Sequence, residues 1–246
     1  MTRIFERSLL RTLVFFLAAS LGSVPFLAAL PFFLLPTRLG WPIVVLYLKM
    51  LLFLLRHICK LDFEVRGREN LPPSPCLIAP QHQSTWENLF FQVVFDNPAM
   101  FVKKEIFSYP IAGLIATKNR HIMTDRTGTL ASLKRSFDAA RAHVRDGRDI
   151  LIYPGGTRRP PGQPQEIRPG VGALYRVLGC PCVPVRLNTG YFWPRGSWTK
   201  YPGLIVIDIQ PAILPGLTRA AFRARLTETL NVTLPPGHPP SQRKTP

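Results

Sequence analysis

The chain has 246 residues, of which 31 are lysine or arginine and 14 are aspartate or glutamate, giving a formal net charge of +17. A basic excess of this size points to nucleic acid, anionic membranes or anionic small substrates, but the sequence contains neither zinc-ligand spacing nor an aromatic and basic sheet motif. Nucleic acid is therefore not an expected partner, and a membrane surface with phosphate-bearing substrates accounts better for the charge. The four cysteines form no C-x-x-C pair, so we expect no metal site, and their apolar surroundings are typical of reduced, cytoplasmic thiols.

The first predicted element is an apolar stretch near the N-terminus. No charged residue lies between Thr12 and Thr37, and these 26 residues would extend about 39 Å as a helix. The stretch is long enough to cross a bilayer, although Pro25 and Pro31 favour a kinked or re-entrant segment. The alternative is a secretory signal, because three arginines precede the apolar core and small residues follow. The length of the apolar run favours a membrane-embedded helix.

A second apolar segment, from Ile43 to Lys60, carries Lys49, Arg56 and Lys60 close to one line on a helix. Leucines fill much of the remaining surface, which is typical of a helix at the membrane interface with a basic stripe toward anionic phospholipids. The alternative is a core helix of a soluble domain. Together the two segments predict membrane-associated helices over residues 1–60, followed by a folded domain over residues 61–233 and a disordered tail over residues 234–246.

Beyond residue 60, strand-like apolar runs alternate with helical periodicity, which predicts an α/β fold with a mixed sheet flanked by helices. A helix with apolar residues from Leu130 to Val144 is expected to end at Gly147. The proline- and glycine-rich segment 159–169 is expected to be a loop. The predicted strands are Asp62 to Arg66, Cys76 to Ala79, Ala99 to Val102, Ile150 to Tyr153, Cys182 to Leu187 and Leu204 to Ile209, and the remaining helices are Val171 to Gly179 and Thr218 to Leu230.

Two residues offer acid–base chemistry. His82 can take a proton from an alcohol near neutral pH, and Glu87 can hold the other ring nitrogen and stabilise the imidazolium that forms. Residues five apart lie about 140° apart around a helix, so the two side chains cannot meet if both are helical. They can meet if His82 lies in a loop after a buried strand and Glu87 lies in the first turn of a helix capped by Ser84 or Thr85. The alternative is a capping carboxylate beside an unrelated loop histidine.

A glycine-rich turn follows a later apolar run. Gly155, Gly156 and Thr157 precede Arg158 and Arg159. Such a turn can offer backbone N–H groups and a guanidinium to a phosphate. The sequence therefore predicts an anion-binding turn in the same domain as the histidine and glutamate.

Four segments in order make the chain resemble the glycerolipid acyltransferase family, and within it the bacterial 1-acylglycerol-3-phosphate acyltransferases. The family's first motif is a histidine separated by four residues from an aspartate, matched here by His82 with Glu87 in the aspartate position. Its third motif, Glu-Gly-Thr-Arg, aligns with the residues from Gly155 to Arg158. The second block resembles Lys104-Glu105-Ile106 with Pro110 and Gly113, leading to Ile122 and Asp125-Arg126, and the fourth resembles Val183-Pro184-Val185. The resemblance runs from about Arg66 to Leu230.

The resemblance implies a single acyltransferase domain that moves a fatty acyl group from acyl-CoA or acyl-ACP to the free hydroxyl of 1-acylglycerol 3-phosphate, giving phosphatidic acid. In this scheme His82 is the general base and Glu87 orients it. Attack on the thioester is direct, because no serine or cysteine stands in a recognisable nucleophile setting, and neither a metal nor a redox cofactor is implied. The domain is expected to face the cytoplasm. The expected phosphate ligands are Gly156, Thr157 and Arg158, together with Lys104 and Arg126.

Two positions depart from the family pattern. Glu87 keeps the charge of the usual aspartate and lengthens the arm by one methylene, so the relay can survive. Gly155 removes the carboxylate of the third motif, together with any hydrogen bond that it made to Arg158. A phosphate-free acceptor, such as a lyso-amino-acid lipid, would make this loss easier to tolerate. A non-catalytic lipid-binding protein with the same fold is the other alternative, although an intact pair of His82 and Glu87 argues against it.

Overall fold

A mixed β-sheet forms the centre of the protein. The computed structural model describes residues 2–28, 37–125 and 129–237, and within these ranges the sheet has seven strands. They are β1 (Leu61–Arg66), β2 (Leu77–Pro80), β3 (Ala99–Lys103), β4 (Ile122–Thr124), β5 (Ile150–Leu151), β6 (Cys182–Leu187) and β7 (Gly203–Ile209). Their order across the sheet is β1-β7-β6-β2-β5-β3-β4. Strands β6 and β7 pair antiparallel, whereas the other neighbouring strands pair parallel, so the predicted mixed sheet is confirmed.

The strands beyond residue 60 lie close to their predicted positions, with one omission. Strand β4 was not predicted, because it is only three residues long and its single buried residue, Ile122, gives no alternating pattern. Strand β5 is shorter than predicted, since the ladder ends at Leu151 and the chain then turns away. Both differences fall on strands of two or three residues, for which sequence periodicity carries little information.

Helices cover both faces of the sheet. They are α1 (Thr2–Ala28), α2 (Thr37–His57), α3 (Trp86–Val94), α4 (Pro110–Lys118), α5 (Leu130–Arg145), α6 (Pro169–Leu178) and α7 (Arg219–Leu230). Helices α5 and α7 begin where the hydroxyl of Thr129 accepts from Ser132 N and that of Thr218 accepts from Ala221 N, each at 3.2 Å. Gly179 follows the last residue of α6, and its φ of 63° suits the left-handed residue that often ends a helix. Helix α4 was not predicted.

The sheet divides the core into two layers. Ile78 of β2 packs in one cluster with residues of α2 and α3, including Leu55 and Phe91. The neighbouring β2 residue, Leu77, packs in the other cluster with α5, α6 and α7, which contribute residues such as Phe222. Successive residues of a strand point to opposite faces, so this alternation places helices on both sides of β2. The arrangement holds β2 in the middle of the domain and fixes the position of the loop that follows it.

The two N-terminal helices share this core rather than standing apart from it. Phe15 of α1 and Leu55 of α2 are buried in the same cluster as Ile78, and Cys59 lies with them. The opposite surface of α1 is apolar and exposed, at Leu9, Leu10, Leu13, Val14, Leu17, Leu21, Val24 and Leu27. Segments Glu6–Ala28 and Gly40–His57 are both long and apolar enough to cross a membrane. A continuous exposed apolar surface of this kind is typical of contact with lipid.

The basic stripe predicted on the second apolar segment is only partly formed. Lys49 and Arg56 lie on α2, and Arg56 pairs with Asp62 at 3.2 Å. The helix ends at His57, and Lys60 has a φ of 55°, so the prediction that Lys60 extends the stripe is wrong. The physical reason is that β1 begins at Leu61, and the chain must leave the helix before it can join the sheet.

The predicted disordered tail begins inside the folded domain. Asn188 donates its side-chain amide to the carbonyl oxygen of Pro235 at 3.0 Å, and Leu204 N donates to the carbonyl oxygen of Gly237 at 3.1 Å. Residues 234–237 are therefore held against β7. The rest of the predicted tail, residues 238–246, lies outside the described residues, as does Pro31 of the first apolar stretch.

Candidate active site

The predicted motifs converge on one edge of the sheet. Strands β2, β3, β5 and β6 are mutually parallel, so their carboxyl ends lie at the same edge. The loop with His82 follows β2, the turn with Arg158 follows β5, Lys104 follows β3, and Thr189 follows β6. Ligands of parallel α/β sheets bind outside the carboxyl ends of the strands. The topology therefore places a candidate site at this edge.

His82 and Glu87 meet as the sequence predicts. His82 lies in the loop after β2, Glu87 lies in the first turn of α3, and His82 Nδ1 is 3.1 Å from Glu87 Oε2. An ionised carboxylate only accepts hydrogen bonds, so Nδ1 carries the proton and the lone pair of the neutral ring lies on Nε2. The side chain of His82 is 13% exposed, and that of Glu87 is fully buried. This geometry leaves Nε2 as the basic atom of the pair.

The carboxylate of Glu87 is held by four groups that donate to it. Besides His82, the backbone N–H of Gln83 donates to Oε1 at 3.0 Å, and that of Ser84 donates at 2.9 and 3.0 Å to the two oxygens. The hydroxyl of Thr189 also bonds to Oε1. These donors replace the hydrogen bonds to water that a carboxylate loses on burial. The alternative of a capping carboxylate is therefore half correct, because Glu87 binds the backbone before α3 and the histidine at once.

Two buried glutamine side chains fix the loop that carries His82. Gln83 donates to the carbonyl oxygen of Leu187 at 2.8 Å and accepts from Gly190 N at 3.0 Å. Gln81 accepts from Leu187 N at 2.7 Å and donates to the carbonyl oxygen of Leu230. These bonds tie the loop to β6 and to the end of α7. The histidine is thus positioned by the rigid part of the domain, as an acid–base group requires.

Tyr153 is a site residue that the sequence did not reveal. Its ring stacks on that of His82, with centroids 3.8 Å apart and planes inclined by 15°. Its hydroxyl donates to Asn88 Oδ1 at 2.7 Å. Burial, together with the nearby charge of Glu87, raises the pKa of the Tyr153 phenol well above its usual value, so the residue is neutral. The only sequence signal for this role is its place between a buried strand and the glycine-rich turn.

The glycine-rich turn lies directly against the histidine loop. The N–H of Gly156 closes the turn by donating to the carbonyl oxygen of Tyr153 at 2.9 Å, with a φ of 69° that favours glycine. Arg159 N donates to the carbonyl oxygen of His82 at 2.8 Å. Arg158 donates from its guanidinium to Thr85 Oγ1 at 2.7 Å. The turn and the acid–base pair therefore form one site.

An open cleft of about 330 Å³ adjoins this site. Thr85 and Arg158 line it from the motif side, Phe16 lines it from α1, and Trp193 and Lys200 line it from the segment between β6 and β7. A cation next to an acid–base pair in an open cleft suits the binding of an anionic substrate.

Comparisons with known proteins agree with this geometry. A family model described as "Acyltransferase" matches residues 62–188. The 1-acyl-sn-glycerol-3-phosphate acyltransferase of Pseudomonas aeruginosa is 34% identical over 208 residues, covering 83% of this chain and 80% of that protein. The human 1-acyl-sn-glycerol-3-phosphate acyltransferase beta is 25% identical over 195 residues, covering 74% of this chain and 69% of that protein.

This chain belongs to the acyltransferase family. The crystal structure of the 1-acyl-sn-glycerophosphate (LPA) acyltransferase PlsC from Thermotoga maritima has the same fold, with a TM-score of 0.76 and 21% identity over 94% of this chain and 95% of that one. The family resemblance, the α/β fold and the enzymatic class predicted from the sequence are thus confirmed. The two apolar helices and the family together make this acyltransferase a membrane-associated protein.

The departure at Gly155 has a structural counterpart in this acyltransferase. A Cβ built on Gly155 would lie 2.8 Å from Cγ of Gln165, a residue that is only 4% exposed. The side chain of Gln165, from the loop 159–169, thus occupies the space where a residue larger than glycine would begin. Arg158 bonds to Thr85, a neutral partner, whereas the family's third motif carries a carboxylate. The turn is therefore filled and tethered without the glutamate.

The two remaining predicted phosphate ligands have different outcomes. Lys104 lies at the correct edge of the sheet, but it is exposed and its ammonium is 3.7 Å from Asp125 Oδ2. Arg126 lies outside the described residues. The part of the site that the structure describes in detail is therefore the group formed by His82, Glu87 and Arg158.

Proposed function

We propose that this acyltransferase moves a fatty acyl group from a thioester donor to the free hydroxyl of 1-acylglycerol 3-phosphate, giving phosphatidic acid. The observation that carries the proposal is the bond of His82 Nδ1 to the buried carboxylate of Glu87, 3.1 Å long, beside the guanidinium of Arg158. The pair supplies a base, and the arginine supplies a partner for a phosphate. The curated relatives named as acylating this substrate support the choice of acceptor.

The proposed reaction is a direct transfer. Nε2 of His82 takes the proton from the acceptor hydroxyl, whose oxygen attacks the carbonyl carbon of the thioester. Glu87 stabilises the imidazolium, because its charge lies against Nδ1–H. The tetrahedral intermediate then collapses, the carbon–sulfur bond breaks, and the proton passes from His82 to the departing thiolate. The four cysteines are free and buried, which agrees with a mechanism that has no covalent acyl-enzyme.

Arg158 is the principal proposed ligand of the acceptor phosphate. Its guanidinium bonds to a neutral hydroxyl, so further N–H donors can form charge-assisted bonds to phosphate oxygens. In this proposal Gly156 and Thr157 shape the turn, Lys104 adds positive charge at the end of β3, and Arg126 is a further cationic ligand. The donor is acyl-CoA or acyl-ACP, and neither a metal nor a redox cofactor takes part.

The proposal extends to the membrane. The helices over residues 1–60 hold the enzyme on an anionic phospholipid surface, and the active site faces the cytoplasm, where both acyl donors are soluble. Four free, buried cysteines suit a reducing compartment, and the formal net charge of +17 suits an anionic surface.

An acceptor panel tests the proposal. Purified full-length protein in mixed micelles is given labelled acyl-CoA, with acyl-ACP in parallel, and 1-acylglycerol 3-phosphate, a lyso-amino-acid lipid, a lysophosphatidylcholine or monoacylglycerol. We expect 1-acylglycerol 3-phosphate to be acylated with the highest kcat/KM. Preferential acylation of the lyso-amino-acid lipid would replace the proposed acceptor. Absence of transfer to any of them would favour the non-catalytic alternative.

A further inference from the structure

The cleft beside Arg158 contains a second cation that the proposed reaction does not use. Lys200 precedes β7 and lines the cleft with Thr85 and Arg158. Its side chain is among the largest that are fully buried, whereas lysine is normally exposed. A buried lysine in a substrate-sized cleft requires an explanation in terms of its partners.

The ammonium of Lys200 has few hydrogen-bond partners. It donates to the carbonyl oxygen of Trp198 at 2.8 Å and lies 3.9 and 4.3 Å from the ring centroids of Phe16 and Trp193. An ammonium has three N–H groups, and aromatic faces are weaker partners than acceptor oxygens. Burial lowers the pKa of Lys200 to about 8. The site therefore holds a cation that an anion would stabilise.

The described lining of the cleft includes two cations and no carboxylate. The ion pairs among the described residues involve neither Lys200 nor Arg158. Placing charges out of water without a counter-charge is unfavourable. A doubly charged anion in the cleft would supply the missing counter-charge for both side chains.

The position of the cleft indicates where that anion comes from. Phe16, on the membrane-associated helix α1, forms one wall, and the ring of Trp198 lies 5.6 Å from that of Phe16. Trp198 is 76% exposed, and Leu13 and Leu17 of α1 are also exposed. Exposed tryptophan beside an apolar helix is typical of the boundary between lipid and water. An anionic group carried by a lipid can therefore reach the cleft from the bilayer surface.

We infer that Lys200 binds the phosphate monoester of the acceptor lysolipid, as a second cationic contact in the cleft that it shares with Arg158. The inference rests on the proposed function and adds a residue from outside the family motifs. The acceptor would keep its acyl chain near α1 while its phosphate lies between the two cations, so that its hydroxyl is presented near His82. Lys200 would thus contribute to the preference for phosphate-bearing acceptors.

A structural role makes different predictions. The backbone N–H of Lys200 donates to Thr12 Oγ1 at 2.9 Å, and its ammonium also lies 5.4 Å from the ring of Phe15. Lys200 could thus serve only to fasten α1 to the domain. Loss of a fastener would lower thermal stability and reduce kcat for every acceptor alike, whereas loss of a phosphate ligand would raise KM for the phosphate-bearing acceptor alone.

The test compares the wild type with Lys200→Met and Lys200→Arg in mixed micelles. Lys200→Met should raise KM for 1-acylglycerol 3-phosphate about tenfold or more and leave KM for acyl-CoA almost unchanged, with partial recovery in Lys200→Arg. An increase in KM for acyl-CoA instead would assign the cleft to the phosphates of the donor and overturn the inference. An equal fall in kcat for 1-acylglycerol 3-phosphate and for monoacylglycerol would also overturn the inference.

A second pair of variants keeps the test decisive if Lys200→Met does not fold. Ser197 lines the same cleft, and Ser197→Asp and Ser197→Asn differ in charge but hardly in shape. A carboxylate there should raise KM for the phosphate-bearing acceptor several-fold over the Asn variant, and added salt should reduce the difference. Equal KM values in the two variants would overturn the inference. If the wild-type protein does not acylate 1-acylglycerol 3-phosphate, the proposed function itself is refuted. Failure of the proposed function can thus be distinguished from failure of the Lys200 inference.

Discussion

Replacement of Glu87 by glutamine would put an N–H donor where every surrounding group is already a donor. Oε2 faces His82 Nδ1 and Ser84 N, while Oε1 faces Gln83 N, Ser84 N and the hydroxyl of Thr189. The amide of a glutamine must direct its NH₂ group toward one of these sets. The less costly choice is toward His82, because an imidazole can exchange tautomers and a backbone N–H cannot.

That choice inverts the tautomer of His82. Nδ1 would accept from the glutamine amide, so the proton would move to Nε2, and the base would lose the lone pair that the reaction needs. A general base contributes about 10² to 10⁴ in rate. We therefore expect Glu87→Gln to lower kcat by about 10³. The amide would also face Ser84 N–H, and an unmatched buried polar contact costs about 1 to 3 kcal/mol.

The assay is steady-state transfer from acyl-CoA, run beside a thermal melt of each variant. Glu87→Asp is the matched control, because it keeps the charge and shortens the arm by one methylene, as in the family's first motif. It should retain more activity than Glu87→Gln. Loss of about 1 to 3 kcal/mol would lower Tm by several degrees without unfolding the protein. A folded Glu87→Gln variant with wild-type kcat would refute the relay and reduce Glu87 to a capping residue.

Three further predictions concern the rest of the fold. Gly155→Glu should lower Tm, because its Cβ would lie 2.8 Å from the buried Gln165 side chain. Adding Gln165→Ala to this variant should restore much of the lost Tm, and an unchanged Tm in Gly155→Glu would contradict this packing. Deletion of residues 1–60 should destabilise the remaining domain, because it removes buried side chains of α1 and α2 that each stabilise the fold by about 1.5 to 3 kcal/mol. A cooperative thermal melt at the Tm of the full-length protein would contradict the shared core. The free energy of unfolding should fall with acidification below about pH 6.5, because burial and the nearby Arg148 lower the pKa of His121 from 6.5 to about 3 in the folded state. Between these values the unfolded chain binds a proton that the folded chain does not, so the slope is at most about 1.4 kcal/mol per pH unit. Urea melts across this pH range should show a smaller slope for His121→Gln than for the wild type.

The sequence was most informative where function restricts residue type. The His82 and Glu87 pair could be predicted because a loop followed by a helix start lets residues five apart meet, whereas a continuous helix does not, and the structure has that arrangement. The mixed sheet followed from the alternation of apolar runs. Helix α4 was missed because its first residue, Pro110, and its glycine, Gly113, are more typical of turns than of a helix.

Residues that act through long-range contacts could not be predicted. Thr189 lies 102 positions from Glu87 in sequence, and only the parallel pairing of β6 with β2 brings them together. Tyr153 stacks on His82 for a similar reason. Gln165 fills the space beside Gly155 through the path of a loop, and loops carry no periodic signal. These contacts depend on strand order, which local pattern does not specify.

The central claim, that His82 is the general base of an acyl transfer to 1-acylglycerol 3-phosphate, is tested most directly by His82→Asn. The asparagine amide can still donate to Glu87, but it has no basic nitrogen. Labelled acyl transfer is measured for the wild type, His82→Asn and His82→Ala, with matched melts. We predict that kcat falls by about 10² to 10⁴ in both variants while His82→Asn keeps a near wild-type Tm. Transfer by folded His82→Asn within a few-fold of the wild-type rate would contradict the account.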